Sequence, residues 1–237
     1  MLTDFFNFDK SALYYRFLSP TSFGIDSFLV GIFGIGIFVL VEFLIDIQKK
    51  RQKINFDLYG GLFFSKIENI VLILLLFLGG LVIGYFYSGI FQIWLMIVFS
   101  FLVLLSAIDF KILAVPDWMN LVLFFCILLG SFFFSENFWN VFLSGLGIAG
   151  LFSILRIFGD MFCKTEILGE GDIVFGSSIG MLLGVYDTLM SIFWGCVFGS
   201  TYSIFFRFFG KKVSKLPFIT FISVGLLFCF LMSISND

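Results

Sequence analysis

Two aspartates in this sequence stand where carboxylate chemistry would be possible. Asp109 directly follows the apolar run Phe91–Ile108, in the string S-A-I-D-F-K-I-L-A-V-P-D. Asp172 ends the string L-G-E-G-D and opens the next apolar run, 63 positions later (172 − 109). Acidic residues beside such runs are costly to keep and therefore suggestive. Two carboxyl groups within a few ångströms in a low-dielectric site cannot both ionise cheaply, so they share a proton and titrate as a unit. The ionised member can draw a proton from a water held between them, while the neutral member hydrogen-bonds the carbonyl under attack. This is hydrolysis of an amide by carboxylates alone, without metal or organic cofactor. Singly, each residue has a plainer reading. Asp109 would be a helix-end carboxylate at an interface, and Asp172 an N-cap. Gly169 and Gly171 flank Glu170 and point past a simple cap, because bare backbone permits close approach or positive φ. An extended substrate chain would need that access.

Other chemistries are closed off. Histidine is absent, which excludes serine–histidine hydrolysis, H-E-x-x-H zinc sites and histidine-ligated haem. Cys126, Cys163, Cys196 and Cys229 are widely spaced and form no C-x-x-C pair, so they read as small buried hydrophobes. Asp117 follows Pro116 ahead of an apolar run and reads as an N-cap. Glu42 lies near the end of the first apolar run, where it would snorkel or face inward. Asp160, Glu166 and Glu170 form an acidic stretch balanced by Arg156 and Lys164.

The elements that must position these residues are membrane helices. Of 237 residues, 60% are hydrophobic and only 13% charged, with a mean hydropathy of +1.12. That is too little polar surface to cover a water-soluble globule, and no basic face is available for nucleic acid. Runs of about 20 apolar residues suit spanning helices, and the sequence predicts about eight. They lie near Ser27–Ile45, Ile70–Tyr87, Phe91–Ile108, Trp118–Phe134, Phe138–Phe158, Ile173–Tyr186, Thr188–Phe209 and Pro217–Ile234. The sixth is short. The runs lack the strict alternation of a closed barrel, so the expected fold is an all-α polytopic bundle forming one membrane domain over residues 1–237. The polar stretch 48–69 is expected to be a cytoplasmic loop or an interfacial subdomain. The first run starts only near Ser27 and reads as a retained helix rather than a cleaved leader. With both termini outside, the inside segments hold 12 Lys and Arg residues, and the outside segments hold only Lys10 and Arg16. This asymmetry supports the span count and puts Asp109 and Asp172 at the cytoplasmic mouth of the membrane. Trp94 and Trp118 are candidate interfacial anchors.

Three features in order make the sequence resemble the type IV prepilin peptidases, relatives of the archaeal preflagellin peptidases. The family shares the x-G-x-G-D signature with presenilin-like proteases. The first feature is A-I-D, then a short loop ending V-P-D at Val115–Asp117, then Asn120 and a new span. The second is G-E-G-D followed by Gly180 and Gly184. The third is L-P-F at Leu216–Phe218, opening the last span ahead of Gly225. The agreement covers roughly three-fifths of the chain, from about Phe91 to the C-terminus. It implies Asp109 and Asp172 as the catalytic pair, with Gly169, Gly171, Pro116 and Asp117 as the supporting motif. It also implies prepilin-like substrates (a hydrophobic helix behind a basic leader) and a cytoplasmic-membrane location. The N-terminal part departs from the bacterial pattern. The first span lacks the family's glycine-serine-phenylalanine-leucine-asparagine string, and the following loop lacks its four zinc-binding cysteines. N-methyltransferase activity is therefore not expected.

Two other classes compete. An ion- or proton-coupled secondary transporter would also carry acids and short broken helices, but these acids flank a membrane edge and no internal repeat is visible. A membrane scaffold would leave the paired motifs unexplained.

Overall fold

The computed structural model describes residues 25–51, 66–163, 168–209 and 215–236. Among them are eight α-helices and no strand: α1 (Ile25–Arg51), α2 (Lys66–Phe86), α3 (Gly89–Ile112), α4 (Asp117–Phe134), α5 (Phe138–Cys163), α6 (Glu170–Leu183), α7 (Val185–Phe208) and α8 (Phe218–Asn236). A chain this apolar must satisfy its backbone groups internally, and helices do so within each segment. The protein is an all-helical, multi-pass membrane protein. Helices α2, α3, α4, α5 and α7 are each long and apolar enough to cross a bilayer, whereas the described apolar parts of α1 and α8 are shorter. Helix α6 has 14 residues, roughly 21 Å of rise against a hydrocarbon core of about 30 Å.

The chain forms two compact units that divide between Ala114 and Val115. The first contains α1–α3. Here α1 and α2 pack closely because small residues face one another: a Cβ on Gly80 would lie 2.5 Å from the Gly31 Cα, and one on Gly84 would strike Ser27. Such small-residue seams let helix backbones approach where no hydrophobic effect drives association. Helix α3 packs against both α1 and α2 and buries Met96, Leu104, Leu105 and Ile108 almost completely. Trp94 is buried too, beside Phe91 with ring centroids 5.2 Å apart. It serves as core and not as the interfacial anchor expected from the sequence.

The second unit contains α4–α8. Helix α6 is its centre, packing on α4, α5, α7 and α8, and every residue from Phe175 to Leu183 is buried. The small residues of G-S-S-I-G permit this, with Phe152 of α5 lying over Gly176 and Gly145 of α5 against Gly180. Helices α7 and α8 meet through Gly195, Gly199 and Gly225. The division between the sixth and seventh helices falls at Gly184, whose φ of 82° and ψ of 173° suit essentially only glycine. The sixth helix therefore spans 170–183 rather than the expected 173–186, and α7 begins three residues earlier than expected. The expected loop 48–69 is helical at both edges, since α1 runs to Arg51 and α2 starts at Lys66. Its interior lies outside the described residues.

Candidate active site

In the three-helix unit, Asp109 sits in the last turn of α3 and is 6% exposed. Its backbone carbonyl accepts a hydrogen bond from the Leu113 N–H at 2.8 Å, which closes the helix. Leu113 leaves in the left-handed region, with φ 58°, a conformation usually left to glycine or asparagine. Two positions beyond Asp109, Lys111 turns outward and pairs with Glu68 of α2 at 2.8 Å. At the same end of this unit, Asn69 of α2 donates to Glu42 of α1 at 3.3 Å. Glu42 thus faces another helix, one of the two roles expected for it.

In the five-helix unit, Asp172 is the third residue of α6, and Gly169 is the N-cap. The plainer reading of Asp172 as the N-cap is corrected: it lies three residues past the cap. The carboxylate is not at the cap; it reaches back from N3, where its Oδ2 accepts the Gly169 N–H at 3.0 Å. This satisfies one orphan donor and places negative charge at the positive end of the helix. Neither Gly169 nor Gly171 has positive φ. A Cβ on Gly169 would meet the Asp172 carboxylate at 3.4 Å, and one on Gly171 would meet the Asn120 Nδ2 at 3.4 Å, ordinary van der Waals contact in both cases. The exposed Glu170 pairs with Arg156 of α5 at 3.2 Å, as the balanced-loop reading expects. Lys164 and Glu166 lie outside the described residues.

Asp117 does not cap α4. Pro116 holds the N-cap position, buried, with φ −63° and ψ 124°, and its carbonyl accepts the Met119 N–H at 3.1 Å. Asp117 is therefore the first helical residue, exposed, and offers charge to the helix dipole in place of a cap hydrogen bond. One turn on, Asn120 is 2% exposed and donates from Nδ2 to the Gly171 carbonyl at 2.6 Å. Helix α4 is in this way tied to the G-E-G-D segment.

Asp187 falls between the expected sixth and seventh helices, Ile173–Tyr186 and Thr188–Phe209; it stands in the first turn of α7 and is 1% exposed, beside buried Thr188 and Ser191. Its position inside the string G-V-Y-D-T-L was the available signal. Of the cysteines, Cys229 is buried and Cys126 half-buried, while Cys196 faces outward, contrary to expectation. Among the described residues no cluster of three Cys, Asp or Glu side chains is gathered that could hold a metal ion.

Residues 96–204, just under half of the chain, match the type IV leader peptidase family. The matched stretch runs from within α3 to within α7 and contains both Asp109 and Asp172. No curated protein and no solved structure matches the chain. The resemblance drawn from the motifs is supported directly over these residues.

Proposed function

From that family match we propose that the protein is an aspartyl endopeptidase that removes the leader of prepilin-like substrates, with Asp109 and Asp172 as its catalytic pair. The match identifies a leader-peptidase-like protease, and the observation that carries the finer reading is its content. It encloses A-I-D at the end of one helix and G-E-G-D at the start of another. In a chain without histidine, carboxylates are the side chains best suited to acid–base work, and these two stand at the ends of apolar helices. In this reading the two units act together as one peptidase domain. One carboxylate takes the proton of a water as it attacks the scissile carbonyl, and the other donates a hydrogen bond to that carbonyl. The proton is then passed to the leaving amine.

The substrate is a hydrophobic helix with a basic leader, presented from the cytoplasmic side of the membrane where the positive charges of the chain collect. The experiment is co-expression with candidate prepilin-like proteins, scored for leader removal. Wild type should process the substrate, whereas Asp109→Asn and Asp172→Asn should not, at equal membrane levels. Full processing by either variant would refute the aspartyl mechanism.

A further inference from the structure

We propose that Asn120 is a positioning residue for Asp172, holding the peptide group that carries the aspartate in its working orientation. The inference rests on the peptidase reading above and adds to it a residue on a different helix. The Gly171 carbonyl and the Asp172 nitrogen belong to one planar peptide unit. Fixing that carbonyl fixes the plane from which the Asp172 side chain departs. The Nδ2 of Asn120 does so at 2.6 Å from α4. Only the amide nitrogen can face this point, because a carbonyl oxygen accepts and cannot donate. A carbonyl has two lone pairs, so the contact leaves the second for the hydrogen-bond ladder of α6. Asp172 is then held at two points: its Oδ2 by the Gly169 N–H at 3.0 Å, and its own peptide by Asn120. The Gly171 Cα lies beside the amide: a Cβ there would be in van der Waals contact with Nδ2, at 3.4 Å.

A role in packing alone does not account for this side chain. Asn120 is 2% exposed, and its Oδ1 is buried with no hydrogen-bond partner among the described residues. Keeping half of a buried amide unsatisfied is costly, and an apolar side chain in the same place would avoid that cost. The donor half is the part in use, and it is aimed at the residue that precedes Asp172.

The test uses the full chain purified in its membrane-mimetic form. Its probe is a synthetic peptide with a basic leader joined to an apolar helix. The constants kcat and KM are measured across pH for wild type, Asn120→Leu, Asn120→Ala and Asn120→Asp, with Asp172→Asn as control. Asn120→Leu and Asn120→Ala should each lower kcat by about tenfold or more, as expected for a misplaced catalytic group, with KM nearly unchanged. Asn120→Asp is the diagnostic variant. The introduced carboxyl can donate to the Gly171 carbonyl only while protonated, so its kcat relative to wild type should rise as pH falls. The Leu and Ala variants should show no such rise. Wild-type kcat in the Leu or Ala variant, or an Asn120→Asp profile parallel to wild type, would overturn the proposal while leaving an Asp172-dependent peptidase intact. Absence of cleavage by wild type, or full activity in Asp172→Asn, would remove the peptidase reading and this inference with it.

Discussion

Asp109 and Asp172 differ in how the fold holds them. Asp109 is enclosed in the last turn of the most buried span of its unit. Asp172 lies in the first turn of α6 and is tied to a backbone N–H. A shared-proton pair needs one ionised and one neutral carboxyl, so loss of either should abolish cleavage. The double variant Asp109→Asn/Asp172→Asn should then cost little more than either single change, because the two act as a unit; measured cleavage rates for the three proteins decide this. Asp117 makes a contrasting prediction. It is exposed at the first position of α4 and its side chain is not the cap. Asp117→Asn should remove only a favourable interaction with the helix dipole, about 0.3–1 kcal/mol. Such a protein should accumulate normally and keep most of its cleavage rate. If Asp117→Asn were as inactive as Asp172→Asn, its place in the supporting motif would have to be catalytic.

The helices that carry these residues are held by close backbone approaches, and this gives a stability prediction. A Cβ on Gly225 would strike the Ser191 carbonyl oxygen and come within 2.8 Å of the Gly195 nitrogen. Neither atom can rotate away, so Gly225→Ala should force α8 off α7 and destabilise the fold by roughly 1–3 kcal/mol. Gly147→Ala, on α5 with open space around its Cα, should be neutral or slightly stabilising, since alanine favours the helix. Denaturant-resisted mobility or steric-trap unfolding of the two variants would measure the difference. The eight helices themselves were legible in the sequence as apolar runs, most of them with polar flanks. Their ends were less so. Helix α1 carries its helical geometry into the basic cluster as far as Arg51, because lysine and arginine are good helix formers. The α6–α7 boundary was misplaced because apolarity runs through it, and the break is made by the backbone conformation of Gly184. The two aspartates were legible as acids flanking apolar runs. The tie from Asn120 to Gly171 was not, because one sequence does not say which residue of α4 faces α6. Asp187 escaped for a similar reason, as its burial is created by packing.

At the scale of the whole molecule, the arrangement within each unit bears on how the chain threads the bilayer. In the three-helix unit, the Glu42–Asn69 and Glu68–Lys111 contacts gather the end of α1, the start of α2 and the end of α3. In the five-helix unit, Asn120–Gly171 and Arg156–Glu170 gather the starts of α4 and α6 with the end of α5. The ring contact Phe152–Phe218, at 5.7 Å, adds the start of α8. Within each unit, successive helices therefore alternate in direction. The parity of the count depends on α6, the shortest helix. If α6 and α7 were one continuous helix, Thr188 and Ile179 would be separated by about 13.5 Å along its axis. Instead the Thr188 hydroxyl donates to the Ile179 carbonyl at 3.2 Å, so the chain bends sharply at Gly184 and α6 is a helix separate from α7. With α6 proposed as a crossing of its own, eight crossings would return the C-terminus to the side of the N-terminus, and the excess of Lys and Arg is the argument for assigning that side to the exterior. Reporter fusions at Lys53, Lys164 and Lys212 should then report the cytoplasm, and fusions at Glu136 and after Asp237 the exterior. The informative pair is Lys212 and the C-terminus. If α6 did not cross, Lys164 would remain cytoplasmic while Lys212 moved outside and the C-terminus moved inside. That outcome would place four of the basic residues, Arg207, Lys211, Lys212 and Lys215, on the side from which positive charge is normally excluded.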